Sequence, residues 1–460
     1  MELTGYEAEA LLTRTRPDRE TRRARGKARR KQVPRGAHAE VPTAEARRDP
    51  LSLLRAQDST REPSLVSLRY ERMSANPFAY LRGSAGVMAS DLSLVADSGI
   101  RTQLCGDAHL ANFGLFASAE RTLVFDLNDF DETLAGPFEW DVKRLAASVA
   151  VTARLLGLSD KHTRDAVRAG VAEYRGAMSR LAMLPTLTAW NTRVDGAALR
   201  NRLKGTPLGK AMAAAAEKST RKTSSSAART LTEGAGAQRR FRSEPPLLVP
   251  VPRADFDTFL ASLTDIYRGY LETVPIDLVA LLSRFAFVDL AHKVVGVGSV
   301  GTHAIVVLLQ TGDDEPLVLQ LKQAGPSVLE TYLGASRFAN SGQRVVAGQK
   351  AMQAAGDPFL GWSRAHSGAG PTEDFYVRQL RDLKASIEVE KLSRNALVVY
   401  SRVCGGVLAR AHARVGDSAE ISGYLGSRPV FDDAVAEFAV HYADLTEKDH
   451  AELMAATSHP

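Results

Sequence analysis

The sequence contains little cysteine and no long hydrophobic run. Only Cys105 and Cys404 occur among 460 residues, which argues against a disulfide-stabilised scaffold and fits a reducing compartment. No stretch approaches the roughly 18 consecutive apolar residues of a membrane span. The first ten residues also lack the basic and then apolar pattern of a secretory signal. We therefore expect a cytoplasmic protein without a transmembrane segment.

Acidic residues are scarce in one segment, and this explains the net charge of +6. Residues 14–35 hold eleven Lys or Arg but only two acids, so this segment alone accounts for the positive excess. A basic run followed by Pro- and Ala-rich sequence is typical of a solvated arm, and we predict a disordered, basic N-terminal arm over residues 1–60. Through residues 14–35 it would make only weak, nonspecific contacts with nucleic acid or an anionic surface.

The rest of the chain has the composition of a folded protein. Hydrophobic residues make up 44% of the sequence, which is enough for a core divided between two domains or lobes. Helical spacing predicts a helical part over residues 61–290, interrupted by a polar, flexible insertion at 203–245. Glycines and runs of branched residues predict a β-rich part at 291–390. Helical spacing resumes at 391–460, and we expect these helices to pack on the first helical part.

Individual elements can be predicted where the hydrophobic period is regular. The predicted helices are Val142–Leu156, a helix with Ser159 as its N-cap, Ile276–Lys293 and Ala396–Arg414. The predicted strands are Leu123–Phe125, Ala304–Gln310, Pro316–Lys322 and Asp374–Leu380. The second and third of these strands form a hairpin, because a Thr-Gly-Asp-Asp turn separates them.

Two acidic segments carry residues suited to phosphoryl transfer. In LCGDAHLANFG (104–114), Asp107 and Asn112 have the D-x-x-x-x-N spacing that lets one side chain orient a hydroxyl and the other bind metal. In LVFDLNDFDE (123–132), a strand is followed by a cluster whose carboxylate oxygens suit magnesium, namely Asp126, Asp129 and Asp131. The alternative for both segments is a turn in which Asp and Asn bond their own backbone.

Glycines precede the predicted hairpin. Gly296, Gly298 and Gly301, with Ser299 between them, satisfy G-x-G-x-x-G. A dinucleotide-binding fold requires a helix directly after such glycines, because its N-terminus receives the pyrophosphate, whereas a branched apolar strand follows here. Strand, glycine turn and strand is the arrangement that covers nucleotide phosphates in kinases, where backbone N–H groups approach the phosphates. A simple glycine-rich hairpin is the alternative.

A lysine ends the second strand of the hairpin. Lys322 follows apolar residues, where a charge is costly unless it is paired. Kinases place here the lysine that binds the α- and β-phosphates and pairs with a helix glutamate. Glu330, on an expected helix, is the candidate partner, and both residues are predicted to contribute to nucleotide binding. The alternative is an edge-strand lysine that points to water.

The acidic segments resemble those of a known group of enzymes. GDAHLANFG resembles the H-G-D-x-H-x-x-N catalytic loop of aminoglycoside and choline-type phosphotransferases, and NDFDETLAGPFEWDVKRLA resembles their metal-aspartate segment. The resemblance implies that Asp107 is the catalytic aspartate and that Asn112 and Asp129 bind metal. It also implies that His109 and Asp141 support the catalytic loop.

The order of the segments departs from that group. The phosphotransferases place the glycine loop and lysine first, then a helix reading L-A-x-L-H, and then the catalytic loop. Here Leu408–His412 (LARAH) resembles that helix but lies near the C-terminus, and Cys105 replaces the first histidine of the loop. A circular permutation accounts for this order, because the termini of compact domains are often neighbours. The resemblance therefore implies an α+β, protein-kinase-like fold of two lobes in circularly permuted order, with a small antiparallel β-lobe and a large helical lobe.

Most of the chain after the arm also resembles a bacterial family known as domain of unknown function 2252. The resemblance rests on RMSANPFAYLRG, the two acidic segments, the glycine segment and FYVRQLRDLK. It covers most of residues 65–450. It implies no biochemical role.

Taken together, these residues predict an ATP- and magnesium (Mg2+)-dependent phosphotransferase that acts on a hydroxyl of an unidentified small molecule or protein. Three alternatives stay open: a nucleotide-binding pseudokinase that regulates a partner, a nucleotidyl-transferring protein, and a nucleic-acid-associated protein that uses its basic arm. Joint retention of Asp107, Asn112 and Lys322 argues against a pseudokinase, because a scaffold has no physical need for all three.

Overall fold

The computed structural model describes residues 12–13, 15–220, 224–294, 296, 300–366, 372–380 and 385–457. Helices hold 55% of the residues and strands 16%, and the sheets are antiparallel, so the chain is an α+β protein. None of the described helices is long and apolar enough to cross a membrane.

The helices and strands are numbered here in chain order. The helices are α1 Arg19–Arg29, α2 Pro50–Asp58, α3 Pro63–Ser74, α4 Pro77–Gly83, α5 Ala85–Leu92, α6 Phe138–Leu155, α7 Asp160–Met183, α8 Thr186–Asn191, α9 Gly196–Arg202, α10 Pro207–Thr220, α11 Ser224–Leu231, α12 Phe256–Leu271, α13 Ile276–Leu282, α14 Glu330–Leu333, α15 Ser341–Met352, α16 Arg394–Val415, α17 Ser418–Leu425 and α18 Val430–Thr457. The strands are β1 Arg101–Leu104, β2 Phe113–Ala117, β3 Leu123–Leu127, β4 Leu134–Pro137, β5 Thr232–Glu233, β6 Arg240–Phe241, β7 Leu248–Pro250, β8 Ala286–Lys293, β9 Ala304–Gln310, β10 Pro316–Ala324, β11 Gly361–His366, β12 Thr372–Gln379 and β13 Ala385–Ser386.

The largest sheet has six strands in the order β11-β12-β10-β9-β8-β7. Successive side chains of a strand point to opposite faces. On β9, Val307 and Leu309 pack with α12 and α13, whereas Val306 and Leu308 pack with α11 on the other face. Burial of both faces explains why β9 is a continuous apolar run, and the predicted β9–β10 hairpin is confirmed.

The apolar stretch Ile276–Lys293, predicted to be helical throughout, is divided between two elements. Helix α13 ends at Leu282, and strand β8 begins at Ala286 and pairs with β9. An apolar run that is buried on more than one side has no distinct period, so its sequence does not separate helix from strand. The prediction was wrong because pairing with a distant strand decides the conformation here.

The helical part of the molecule is built around α6. This helix confirms the prediction for Val142–Leu156 and is buried along nearly its whole length. It packs against α7, α16 and α18, so helices from both ends of the sequence share one core. The Tyr174 hydroxyl on α7 and His412 Nδ1 on α16 are 2.8 Å apart. The C-terminal helices therefore complete the core that α6 and α7 begin.

The N-terminal segment, predicted to be a disordered arm, is folded in its described residues. Helix α1 packs so tightly on α17 that a Cβ on Gly26 would lie 1.9 Å from the Glu420 carbonyl oxygen. The guanidinium groups of Arg30 and Arg35 donate to the carbonyls of Tyr424 (2.8 Å) and Leu425 (2.6 Å). These carbonyls end α17, where the helix leaves acceptors unsatisfied and favours positive charge. The basic composition therefore serves helix packing, and the prediction of disorder was wrong.

The segment 203–245, predicted to be a flexible insertion, also contains ordered elements. Helix α10 places Leu208 and Met212 in the main core, and α11 packs Leu231 against the six-stranded sheet. Residues 221–223 lie outside the described part of the chain. Polar composition predicted a loop here because small and polar residues dominate, but a few apolar side chains at helical spacing are enough to anchor short helices on an existing core.

His38 is expected to make the protein sensitive to acid. The ring is fully buried, its Nε2 lies 2.6 Å from the Tyr424 hydroxyl, and burial, with the nearby Lys143 ammonium, lowers its pKa to about 3. The unfolded chain binds this proton below pH ~6.5 and the folded chain does not, so stability present above that pH is lost as the pH falls. The free energy of unfolding should drop by about 2 kcal/mol between pH 6.5 and pH 5.

The measurement is chemical denaturation at several pH values for the wild type and His38→Phe. The variant should show a shallower pH dependence over this range, because phenylalanine fills the space without titrating. His441→Gln, at an exposed position on α18, is the matched control and should follow the wild type. Parallel pH profiles for the wild type and His38→Phe would contradict the burial of this segment in solution.

Candidate functional site

The loop after β1 is held by one buried carboxylate. Asp141, in the first turn of α6, accepts hydrogen bonds from the backbone N–H groups of Cys105 (2.8 Å) and Gly106 (3.0 Å). His412 Nε2, on α16, lies 3.1 Å from the same carboxylate. Gly106 has a φ of +86°, and a Cβ there would lie 2.1 Å from the Glu132 carbonyl oxygen. The loop is therefore held in place by α6, which follows it in the sequence, and by α16, which lies near the C-terminus.

Asp107 projects from this loop beside a permanent cation. Its Oδ1 accepts a hydrogen bond of 2.8 Å from Arg144 Nε, and its Oδ2 lies 3.5 Å from His109 Nε2. Burial opposes ionisation, but the adjacent His109 ring and Arg144 guanidinium outweigh it and lower the pKa of Asp107. Burial lowers the pKa of His109 itself to about 4, so its ring is neutral near pH 7. Asp107 is therefore an ionised carboxylate at neutral pH.

Asn112 connects the two acidic segments. Its Nδ2 donates to the backbone carbonyls of Asp107 (2.9 Å) and Asp129 (3.0 Å). Its Oδ1 is buried, and no partner for it occurs among the described residues. Because an unsatisfied buried acceptor is costly, this oxygen is suited to bind a cation. Asp129 is exposed beside it, just after β3.

The three carboxylates of the second acidic segment differ in their surroundings. Asp126 lies within β3 and forms a buried ion pair with Arg410 of α16. It is not among the side chains that line the cavity described below. Asp126 is therefore not available as a metal ligand, contrary to the sequence-based expectation. Asp131 does line the cavity, and it accepts hydrogen bonds from Lys322 Nζ and from the Tyr376 hydroxyl (2.7 Å).

Lys322 is a buried cation on the inner face of the six-stranded sheet. Only 5% of the residue is exposed, and its ammonium group pairs with Asp131. Burial alone would lower its pKa, but the Asp131 carboxylate outweighs burial and raises it. The lysine therefore stays charged and joins the sheet to the acidic segment.

Glu330 does not pair with Lys322, contrary to the sequence-based expectation. Its carboxylate accepts hydrogen bonds from the backbone N–H groups of Ser327 and Ser336, each of 3.0 Å, and lies 3.7 Å from Arg344 Nε. It closes the loop around the short helix α14 instead. Helix α15, which packs on β10, β11 and β12, contains no glutamate, and Asp131 takes the role of the lysine's partner.

The glycine segment lies against residues that precede the loop carrying Asp107. Gly296 and Gly301 have φ values of +70° and +89°, which favour glycine. The backbone N–H of Glu62 donates to the Gly301 carbonyl (2.7 Å), and Arg72 donates to the Gly296 carbonyl. Gly298 and Ser299 lie outside the described residues. Strand β9 begins at Ala304, so no helix begins directly after Gly301. The arrangement of a dinucleotide-binding fold is therefore excluded for this segment.

These elements surround one cavity of about 300 Å³. The acidic segments supply one wall, with Asp107, His109, Asn112, Asn128, Asp129, Asp131 and Glu132. The opposite wall comes from the glycine segment and the end of β10, with Gly296, Thr302, Gln323, Ala324 and Gly325. The volume of the cavity is at the lower limit for small-molecule binding sites. Segments almost two hundred residues apart in the sequence therefore face each other.

The fit of this cavity to magnesium rests on oxygen ligands. Within the described part of the chain, no three His, Cys, Asp or Glu side chains converge as a complete metal site. Magnesium does not need one, since it is commonly held by one or two carboxylates together with substrate phosphates. The buried Oδ1 of Asn112 and the carboxylate of Asp129, on the same wall, fit such a site.

Sequence reasoning missed several residues that line the cavity from the N-terminal side. Gln57 and Thr60 fall in the segment that was predicted to be disordered, and Arg61 directly follows it. Arg82 is the second-to-last residue of the RMSANPFAYLRG motif, which was noted only as a resemblance. That motif was the sequence signal that could have identified Arg82, because it places an arginine directly before a glycine in a short helix.

Comparisons with known proteins identify the family of this chain and do not indicate an activity. No curated protein and no solved structure matches the chain. One family model, described as an uncharacterized protein conserved in bacteria, matches residues 61–456. That range includes both acidic segments, the glycine segment and the LARAH helix. The chain therefore belongs to the bacterial family known as domain of unknown function 2252 (DUF2252).

Proposed function

We propose that this chain is an ATP- and magnesium-dependent phosphotransferase that transfers phosphate to a hydroxyl acceptor. The observation that carries the proposal is the ion pair between Lys322 and Asp131. It joins β10 to the acidic segment through Asp131, which lines the cavity together with Asp107, Asn112 and Asp129. A nucleotide phosphate-binding lysine, a metal-binding segment and a candidate base are thereby available to one ligand.

The arrangement of the sheet supports a protein-kinase-like fold of two lobes. The glycine segment connects β8 to β9, and the lysine is on the next strand, β10, which is where protein kinases carry it. Helix α15 packs on the same sheet.

Contacts of the C-terminal helix support the circular permutation. His412 of the LARAH helix contacts Asp141, which holds the catalytic loop, although the two residues are 271 positions apart. In the related phosphotransferases that helix precedes the catalytic loop in the sequence. The same spatial neighbours in a different chain order are what a permutation predicts.

Each residue has a role that follows from its surroundings. The ionised carboxylate of Asp107 accepts a hydrogen bond from the acceptor hydroxyl and orients it. Asn112 Oδ1 and Asp129 hold magnesium, which neutralises charge on the phosphates. Lys322 binds phosphate oxygens through an ammonium group that pairs with Asp131, and the Tyr376 hydroxyl donates to the same carboxylate.

The test is calorimetry of the full chain with ATP, with and without magnesium. The wild type should bind ATP more tightly when magnesium is present. Asp129→Ala should lose the magnesium-dependent part of the affinity, a factor of roughly ten or more, because a charged ligand contact is worth about 1.5–3 kcal/mol. Asp126→Asn is the matched control, because its carboxylate belongs to the same segment but pairs with Arg410. This variant should lose stability and keep the affinity of the wild type for ATP. Absence of ATP binding by the wild type would refute the function.

A further inference from the structure

Two arginines in the cavity lack a carboxylate partner. Arg61 and Arg82 both line it, and the Nε atom of each is buried without a hydrogen-bond partner among the described residues. Neither guanidinium lies within ion-pairing distance of an acid in that part of the chain. In contrast, Asp107 and Asp131, which also line the cavity, already pair with Arg144 and Lys322. A cavity-lining guanidinium without an ion-pair partner is suited to meet negative charge from a ligand.

The two arginines lie at different ends of the cavity. Arg61 donates to the Val300 carbonyl, and its side chain lies 3.0 Å from the position of a Cβ on Gly301. It therefore belongs to the glycine segment, where the nucleotide phosphates are expected.

Arg82 lies on the side of the catalytic loop. It lies in the last turn of α4, and the carbonyl of its neighbour Leu81 accepts a hydrogen bond from Arg144, the partner of Asp107. Burial lowers the pKa of Arg82, while the carboxylates of Asp107 and Asp129 oppose that effect. Arg82 is thus close to the candidate base and to the side from which an acceptor approaches.

We propose that Arg82 is a specificity-determining residue and that the acceptor carries an anionic group, a phosphate or a carboxylate, beside the hydroxyl that is phosphorylated. The inference rests on the proposed function, which supplies the hydroxyl acceptor. Arginine suits both groups, because its planar fork matches two oxygens of either one. Aminoglycosides and choline are cations, and a guanidinium that has no ion-pair partner at this point disfavours their binding. The acceptor class therefore differs from that of the phosphotransferases whose catalytic loop this chain resembles.

The transfer step balances without a further reactant. The acceptor oxygen forms a bond to the γ-phosphorus of ATP, and the bond from that phosphorus to the bridging oxygen of the β-phosphate breaks. The products are ADP and a phosphate ester, and the hydroxyl proton passes to the Asp107 carboxylate. The guanidinium of Arg82 stays unchanged and only holds the second anionic group.

The test is calorimetric titration of the full chain with three small probes: glycerol 3-phosphate, glycerate and choline. Titrations are made in the presence of magnesium, both with and without a saturating non-hydrolysable ATP analogue. The wild type should bind one or both anions and not choline, and the two anionic probes separate a phosphate site from a carboxylate site. Arg82→Gln should weaken anion binding roughly tenfold or more, and Arg82→Lys should weaken it less, because lysine keeps the charge but not the fork.

Matched controls separate this inference from the proposed function. Arg168→Gln removes an exposed arginine that pairs with Asp433, far from the cavity, and should bind anions as the wild type does. Affinity for the ATP analogue should stay the same in Arg82→Gln, and thermal melting should show both Arg82 variants to be folded. If the wild type binds anions through Arg82 but never binds nucleotide, the phosphotransferase proposal fails while the anion site stands.

Four results would overturn the inference. The first is anion binding that is the same in Arg82→Gln and the wild type. The second is anion binding that disappears when the nucleotide analogue is saturating, because Arg82 would then hold nucleotide phosphate. The third is choline binding that matches that of the anions. The fourth is a wild type that binds neither anion.

Discussion

Asp107→Asn is expected to lose phosphoryl transfer and keep ATP binding. Asparagine has nearly the same shape, so it can stay in contact with Arg144, but it cannot accept the hydroxyl proton. General base catalysis contributes a factor of roughly 10²–10⁴, and turnover should fall by that amount. Affinity for ATP should be little changed, since nucleotide binding is assigned to Lys322, Asp129 and the glycine segment.

The measurement is ADP release from ATP and magnesium, together with calorimetry of ATP binding on the same preparations. The slow transfer to water provides a readout that needs no identified acceptor. Asp433→Asn, an exposed aspartate on α18, is the matched control and should keep the activity of the wild type. Equal turnover by Asp107→Asn and the wild type would remove Asp107 from the chemistry.

Lys322→Met should produce the largest loss of nucleotide affinity. The ammonium is a buried cation on β10 that pairs with Asp131, a residue of the cavity wall, and its loss removes the proposed charge-assisted contact to the phosphates. The dissociation constant for ATP should rise roughly 10- to 100-fold. The variant should also be destabilised by about 3–5 kcal/mol, because Asp131 is left with the Tyr376 hydroxyl as its remaining donor.

A second substitution separates these two effects. In Lys322→Met combined with Asp131→Asn, the uncompensated carboxylate is gone, so the free energy of unfolding should recover while ATP affinity stays low. Calorimetry and chemical denaturation on both variants provide the comparison. Recovery of ATP affinity in the double variant, or wild-type affinity in Lys322→Met alone, would contradict the role of the lysine in nucleotide binding.

Local patterns predicted the elements whose conformation depends mainly on their own residues. The helix over Val142–Leu156 and the hairpin of β9 and β10 agree with their hydrophobic periods. The run Ile276–Lys293 was misassigned, because an apolar stretch that is buried by several neighbours does not reveal its own period. The N-terminal segment was misassigned for a related reason, since its arginines are satisfied by carbonyls of α17, about 390 residues away in the sequence.

The candidate site likewise contains features that the sequence predicted and features that it did not. The spacing of Asp107 and Asn112 was readable because both lie on one short loop. The separation of Asp126 from Asp131 was not, because it depends on Arg410 of α16 reaching one carboxylate and Lys322 of β10 reaching the other. The partner of Lys322 was predicted as Glu330, its near neighbour in the chain, and proved to be Asp131, 191 residues away.

By itself, the sequence determined which side chains can perform chemistry, where the regular helices and the glycine hairpin lie, and to which family the chain is related. The tertiary structure alone decided which of those side chains meet. It placed Asp107, Asp129 and Gly296 around one cavity and brought Arg61 and Arg82 in from the N-terminal side. It also paired Asp126 with Arg410 outside the cavity lining and bonded Glu330 to backbone N–H groups instead of to Lys322. The physical reason is that ion pairs and cavities form between surfaces that are distant in the chain, whereas a sequence pattern reports only the neighbours of a residue along it.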